Sequence, residues 1–161
     1  MATGDYRDRA EIADLFNLYA FALDERRFDW LEDVFTEDGG VEFPGGYAVA
    51  GRAEAIELIA MFMEKCSATH HLMANHFAVV EGDAAQAKCY VRAHHARKGG
   101  EGVFEESLAV FTADCVRTEH GWRIKTLVEH IPIALGDFAA LDSTPPPGVV
   151  LSGWAVSVPQ G

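Results

Sequence analysis

Apolar residues in the first part of the chain recur every three or four positions. Ile12, Leu15, Phe16, Tyr19 and Leu23 form one stripe between Glu11 and Leu23, the pattern of an amphipathic helix that buries one face. Asp29-Trp30-Leu31-Glu32 has the form of a capping box and predicts a short second helix that buries Leu31, Val34 and Phe35. Thr36-Glu37-Asp38-Gly39-Gly40 breaks that helix. Val41-Glu42-Phe43 and Tyr47-Ala48-Val49 then predict a brief hairpin around Pro44-Gly45-Gly46. A third helix is expected after Gly51, with Ile56, Ile59, Ala60 and Met63 on its buried face.

From there on the pattern is that of strands. Four long segments are predicted, at about Leu72–Val80, Ala85–Arg97, Val103–Arg117 and Trp122–Leu135, separated by Gly82-Asp83, Gly99-Gly100-Glu101-Gly102 and Glu119-His120-Gly121. Long strands joined by short turns make an antiparallel meander. Helices first and strands afterwards predict an α+β fold: a cone-shaped α+β barrel with three N-terminal helices packed on a strongly curved, mainly antiparallel sheet. Strands of this length twist, and a curled sheet backed by helices encloses a pocket. Residues 1–143 form this cone. Residues 144–161 open with the stiff Thr144-Pro145-Pro146-Pro147-Gly148 and continue into the apolar Val149–Val156, so they are expected to lid the pocket or contact a second subunit.

Composition narrows the function. The 161 residues carry a net charge of -12, which argues against nucleic acid, since phosphate binding needs a basic face. No apolar run approaches the roughly 20 residues of a membrane-spanning helix, and the polar Met1–Asp5 start is unlike a signal peptide. A cytoplasmic protein is expected. Cys66, Cys89 and Cys115 form no CxxC pair and are expected to be buried free thiols.

Histidine is the informative residue type, because it titrates near neutral pH. Five of the seven (His70, His71, His76, His94 and His95) fall on two adjacent predicted strands. Alternate residues of a strand share a face, so an inward His71 would take Met73, Asn75 and Phe77 with it, while Tyr90, Arg92 and His94 share a face on the next strand. Which face is inside stays open at this level, and a bulge would reset the count. Asp24 ends the first helix, where the helix dipole prefers cations, so its presence there asks for another reason.

Tyr19-Ala20-Phe21-Ala22-Leu23-Asp24, Phe28-Asp29-Trp30-Leu31 and Val34-Phe35-Thr36-Glu37-Asp38-Gly39 together resemble the opening of SnoaL-like proteins, within the nuclear-transport-factor-2-like superfamily. The resemblance runs through Gly51-Arg52, His71-Leu72-Met73-Ala74-Asn75, Glu81–Ala85 and Gly121-Trp122-Arg123-Ile124, covering roughly residues 8 to 135. It implies kinship with cofactor-free eliminating enzymes: scytalone dehydratase, lindane dehydrochlorinase and bile-acid 7α-dehydratase. Their shared Asp–His pair falls on Asp24 and His71, and the tyrosine of the bile-acid enzyme on Tyr19. The second histidine of scytalone dehydratase falls on His94 or, with a one-residue shift, His95. Its serine and asparagine meet Ala109 and Phe111 here, and the late-strand arginine of the other two has no counterpart near His130.

The resemblance therefore implies a lyase of dehydratase type, with His71 as base, Asp24 as its orienter, and His94 and Tyr19 as acid or oxygen-stabilising groups. Asn75, Tyr90, Phe43, Tyr47, Trp30 and His130 are expected to hold a small hydrophobic, aromatic or alicyclic substrate. No cofactor and no metal are expected, and relatives imply a homodimer or homotrimer through the exposed sheet face, with Phe104, Leu108, Val110 and Trp154 as contacts. Isomerisation or retro-aldol carbon–carbon cleavage would use the same groups. Two other readings are a two-histidine, one-carboxylate metal site from His71, His94 and Asp24, and a non-catalytic binding or assembly module.

Overall fold

The computed structural model describes residues 5–99 and 102–137 and the backbone of 149–151. Helix α1 spans Tyr6–Asp24, is capped by the Asp5 side chain on Asp8 N, and buries the predicted stripe of Ile12, Leu15, Phe16, Tyr19 and Leu23. Helix α2 spans Arg52–Met63 and buries Ala55, Ile59 and Met63. Between them Phe28–Asp33 forms a single stretch of 3₁₀-helix rather than an α-helix. The predicted capping box does not close there. The helix starts after Arg27, which makes no side-chain cap hydrogen bond, and the Asp29 carboxylate is turned to the Arg27 guanidinium at 3.0 and 2.8 Å.

The strands are β1 (Phe35–Phe43), β2 (Tyr47–Ala50), β3 (Cys66–Glu81), β4 (Ala84–Arg97), β5 (Phe104–Thr118), β6 (Gly121–Gly136) and β7 (Val149–Leu151). They form one sheet in the order β2-β1-β6-β5-β4-β3, with β7 added beside β6. Pairing is antiparallel except for β1 with β6 and β7 with β6. The fold is thus the expected α+β architecture, a curved, unclosed sheet with the helices preceding its long strands.

Three boundaries differ from the sequence pattern. Strand β1 begins at Phe35, not Val41, because Thr36–Gly40 runs on as an irregular strand with a register shift between Phe35 and Gly40. Gly40 is required at that approach, since a Cβ there would collide with the Val49 carbonyl oxygen across the hairpin. Strand β3 begins six residues before Leu72, so His70 and His71 both lie well inside it. Val149–Leu151 of the apolar tail extends the sheet along Ile133–Leu135; the other tail expectations, Trp154 among them, lie outside the described residues.

One hydrophobic core fills the concave side. Leu31, Val34, Phe35, Val41, Ala55, Ile59, Ile124 and Leu127 are at most 1% exposed. Inward positions of β4 and β5 are mostly small, Ala85, Ala87, Cys89, Val91 and Ala93 facing Ala109, Ala113 and Cys115. Helix α1 lies over β3 and β6, and near its N-terminus the Trp122 indole N–H donates to Asp8 Oδ1 at 3.1 Å. A pocket opens toward the other end of α1, beside Tyr19 and Leu23.

Candidate functional site

The open end forms a pocket between the helices and the sheet. Tyr19 and Leu23 of α1, Phe43 of β1, Pro44, Tyr47 of β2 and Ile59, Phe62 and Met63 of α2 make its apolar wall. The sheet supplies His71, Ala93, His95, Glu105, Ser107, Phe111, Glu129 and Ile131. An apolar pocket with a few converging polar groups is the usual form of a small-molecule site.

Asp24 reaches this cavity because of how α1 ends. Arg26 takes a left-handed conformation with φ 59°, and Arg27 N–H donates to Ala22 O at 2.9 Å while Arg26 N–H donates to Leu23 O at 3.3 Å. This is a Schellman termination with arginine where glycine is usual. The Arg26 guanidinium compensates by donating to Leu23 O and to Thr69 Oγ1 at 2.8 Å. Thr69 Oγ1 in turn donates to Asp24 Oδ1 at 2.9 Å.

Strand β3 is an edge strand, so the backbone N–H groups on its outer side lack a neighbouring strand. Asp24 Oδ2 accepts one of them, from His71, at 2.8 Å. Asp24 Oδ1 lies 2.7 Å from His71 Nδ1. One carboxylate therefore fixes both the backbone and the ring of the same histidine. This is the reason for an acidic residue at a helix C-terminus.

The two partners are pushed in different directions. Burial raises the Asp24 carboxyl, but the bonds from the His71 ring and backbone, the His71 charge and the Thr69 hydroxyl outweigh it and hold the group down at about 2. Burial also dominates at His71, lowering its pKa against the opposing pull of Asp24. At neutral pH the pair is a carboxylate beside a neutral imidazole. With Nδ1–H directed at Asp24, Nε2 is the nitrogen left to the cavity.

A second pair lies on the neighbouring strands. His95 Nδ1 is 2.7 Å from Glu105 Oε2, and Ser107 Oγ donates to Glu105 Oε1. All three are buried, Glu105 to 1% exposure. The His71 and His95 rings meet edge to face with centroids 5.1 Å apart. Glu129 completes the polar lining, and burial followed by the charge of Glu105 pushes its carboxyl up to about 8. Tyr19, shielded by burial and facing the Glu129 charge, is held well above its ordinary value.

Four of the ten residues expected at the site line the cavity together with this polar cluster or its wall: Tyr19, His71, Phe43 and Tyr47; Asp24 joins them through His71. The rest are corrected. His94 and Tyr90 sit on the outer face of β4, where His94 stacks on Phe104 at 4.9 Å and Tyr90 is 57% exposed. Alternation puts Cys89, Val91, Ala93 and His95 inside instead. Asn75 is exposed because the β3 register slips between Ala74 and Phe77, with Asn75 at φ 55°. The same bulge turns His76 toward Phe16, 5.9 Å between ring centroids, and leaves Phe77 exposed. His130 is exposed beside Glu129, its inward neighbour in the strand. Trp30 packs against the edge of the core under the Arg27 guanidinium, 4.7 Å from its ring centre.

Sequence reasoning missed Glu105, Ser107 and Glu129, and left His95 as a one-residue alternative. The signal was available in the run Ala85, Ala87, Cys89, Val91, Ala93, His95, whose small apolar members occupy one parity. Among the described residues no group of three His, Cys, Asp or Glu side chains could hold a metal ion, so the His71, His94 and Asp24 triad does not assemble. No helix of the described residues is long and apolar enough to cross a membrane.

Comparison with known proteins agrees with this architecture. A model of the SnoaL-like domain matches residues 5–128. An uncharacterized protein of Mycobacterium tuberculosis, Rv2910c, is 30% identical over 132 residues, 80% of this chain and 88% of that protein. A Novosphingobium aromaticivorans structure, named as a candidate aromatic ring hydroxylase, has a TM-score of 0.79 and 26% identity over 86% of this chain and 99% of its own. A candidate scytalone dehydratase from the same organism has a TM-score of 0.74 at 16% identity, covering 86% of this chain and 90% of its own. That last likeness shows a shared fold.

Proposed function

The chain belongs to the SnoaL-like family, and we propose that it is a cofactor-independent lyase that eliminates water from a small hydrophobic substrate in the cavity. The observation that carries this reading is the Asp24–His71 pair, a neutral imidazole fixed by an ionised carboxylate at 2.7 Å on the wall of an apolar pocket. Such a histidine is a base at neutral pH, and its carboxylate stabilises the imidazolium that forms.

In this reading His71 Nε2 takes a proton from a substrate carbon. The C–H electron pair becomes the new carbon–carbon double bond, and the C–O bond breaks. For the departing oxygen to leave as water, His95 must enter the step as the imidazolium, its Nδ1–H held by Glu105, and give up the Nε2 proton to that oxygen, becoming neutral. Glu105 bears the same relation to His95 as Asp24 does to His71. The apolar wall of Phe43, Tyr47, Phe62 and Phe111 suits a ring, and a drier site strengthens each of these electrostatic contacts. Isomerisation in the same pocket would use the same base, with the proton returned to another carbon.

Both reactions begin with proton abstraction, so solvent exchange detects either. A panel of cyclic and aromatic alcohols and ketones is incubated with the protein in D₂O and followed by mass spectrometry. Deuterium incorporation with loss of water supports the lyase, and incorporation without it the isomerase. Turnover that persists in both His71→Ala and Asp24→Asn would remove the pair from the mechanism.

A further inference from the structure

Two polar side chains stand behind the Asp24–His71 pair and have no part in the steps above. Arg26 Nη1 donates to Thr69 Oγ1 at 2.8 Å, and Thr69 Oγ1 donates to Asp24 Oδ1 at 2.9 Å. Chemistry forces this direction. A guanidinium has no acceptor and an ionised carboxylate no donor, so a hydroxyl between them accepts from Arg26 and directs its one hydrogen at Asp24. Thr69 and His71 are two residues apart on β3 and share a face, which brings both to the same carboxylate. Arg26 is anchored in turn on Leu23 O, to which the same Nη1 donates. Its backbone is left-handed, with φ 59°, where a glycine would end the helix with less strain but without these contacts.

Asp24 Oδ1 is also the oxygen that faces His71 Nδ1, at 2.7 Å. When His71 becomes an imidazolium, this is the oxygen that would draw the Nδ1 proton away from the ring. A carboxylate oxygen that already accepts a second hydrogen bond, from a hydroxyl polarised by a cation, is a poorer proton acceptor. We propose that Arg26 and Thr69 are positioning residues of the pair: their one-way chain of hydrogen bonds keeps Asp24 a carboxylate throughout the cycle, so that the proton His71 collects stays on the imidazole. The inference rests on the lyase reading and deepens it.

The chain also opposes the imidazolium. Thr69 weakens the carboxylate that stabilises it, and the Arg26 cation lowers the His71 pKa directly, after burial and the charge of His95. Both effects extend the neutral base toward acid. The other titratable groups facing His71 are Asp24, and His95 of β4 with Glu105 of β5 behind it; Tyr19, Tyr47 and Glu129 line the same pocket. Substitutions at positions 26 and 69 leave all of these in place.

The test follows the His71 ring by ¹⁵N NMR in the full chain, alongside kcat/KM in the deuterium-exchange assay. Thr69→Val removes the hydroxyl and keeps the shape, so the His71 titration should move to higher pH. On the acid limb kcat/KM should then fall by about threefold or more, with the plateau within about twofold of wild type. Thr69→Ser returns the hydroxyl and should restore both. Arg26→Gly suits the left-handed backbone and should move the titration the same way, at least as far, since it removes the cation as well.

Movement in Arg26→Gly without movement in Thr69→Val would mean that the charge acts across space alone, and overturns the chain. A titration that stays or falls in Thr69→Val, or that Thr69→Ser fails to restore, overturns it too. If Thr69→Val does not fold, Thr69→Ala removes the same hydroxyl and is judged by the same outcomes. The ring titration needs no substrate, so it is separable from the lyase reading, which fails instead when turnover survives His71→Ala and Asp24→Asn.

Discussion

His94 and His95 are neighbours in the chain, and each meets a glutamate from β5, yet the two faces of the sheet give them different fates. On the outer face, Glu106 is shared between His94 Nδ1 at 3.6 Å and the Arg92 guanidinium. The Arg92 and His94 side chains keep 66% and 44% of their surface, so water screens the cluster and it contributes little to stability. On the inner face, His95 and Glu105 are 8% and 2% exposed at 2.7 Å, beside a second histidine–carboxylate pair. The residue types are the same; removal from water is what separates a solvated ion pair from a group that can move protons.

The largest effect that tests this contrast is on the inner face. His71→Ala and Asp24→Asn should each lower turnover in the deuterium-exchange assay by about 10²–10⁴-fold, with circular dichroism unchanged. His95→Gln should cost about 10²-fold if it supplies the proton to the leaving group. His94→Gln, one residue away, should stay within about threefold. Equal losses at positions 94 and 95 would erase the distinction between the faces.

A pH–rate profile sharpens it further. The base must be neutral, and burial lowers the His71 pKa below 6.5, so kcat/KM should hold its plateau down past that value before falling in acid. A fall already complete at pH 6.5 would point away from His71.

Stability against pH separates Asp24 and Glu129 by sign. Asp24 has a folded pKa of about 2 against an ordinary 3.8, so its contribution is present above about pH 4 and is lost as pH falls toward 2. Asp24→Asn should flatten that acid loss. Glu129 is raised from 4.5 to about 8, so the unfolded chain releases its proton first and stability declines as pH rises across that window. Glu129→Gln should flatten the decline, as read from thermal midpoints between pH 5 and 8. The smallest change is expected from Arg92→Gln on the outer face, where the midpoint should hardly move.

Much of the fold could be read from periodicity. The α1 stripe, the α2 face and four long strands follow from spacings of three to four and of two, because burial of one face dictates them. What periodicity could not supply was register. The slips at Ala74/Phe77 and at Leu108/Val110 are backbone events, and the first of them moved Asn75 out of the site and His76 onto α1. Within the site, family resemblance singled out Asp24 and His71. Glu105 and Glu129 escaped notice because an acidic residue at an inward strand position contradicts the usual alternation, and that contradiction was itself the signal. His95 was legible from the small apolar residues that share its parity.

The central claim is that Asp24 holds His71 as a neutral base with Nε2 free, and histidine-ring NMR tests it without a substrate. With ¹⁵N-labelled histidine, His71 should appear at pH 7 as the neutral Nδ1–H tautomer, titrating below 6.5. Asp24→Asn should push that titration lower still, since the carboxylate is what opposes burial. A His71 ring that is protonated at pH 7, or whose titration ignores Asp24→Asn, would contradict the account.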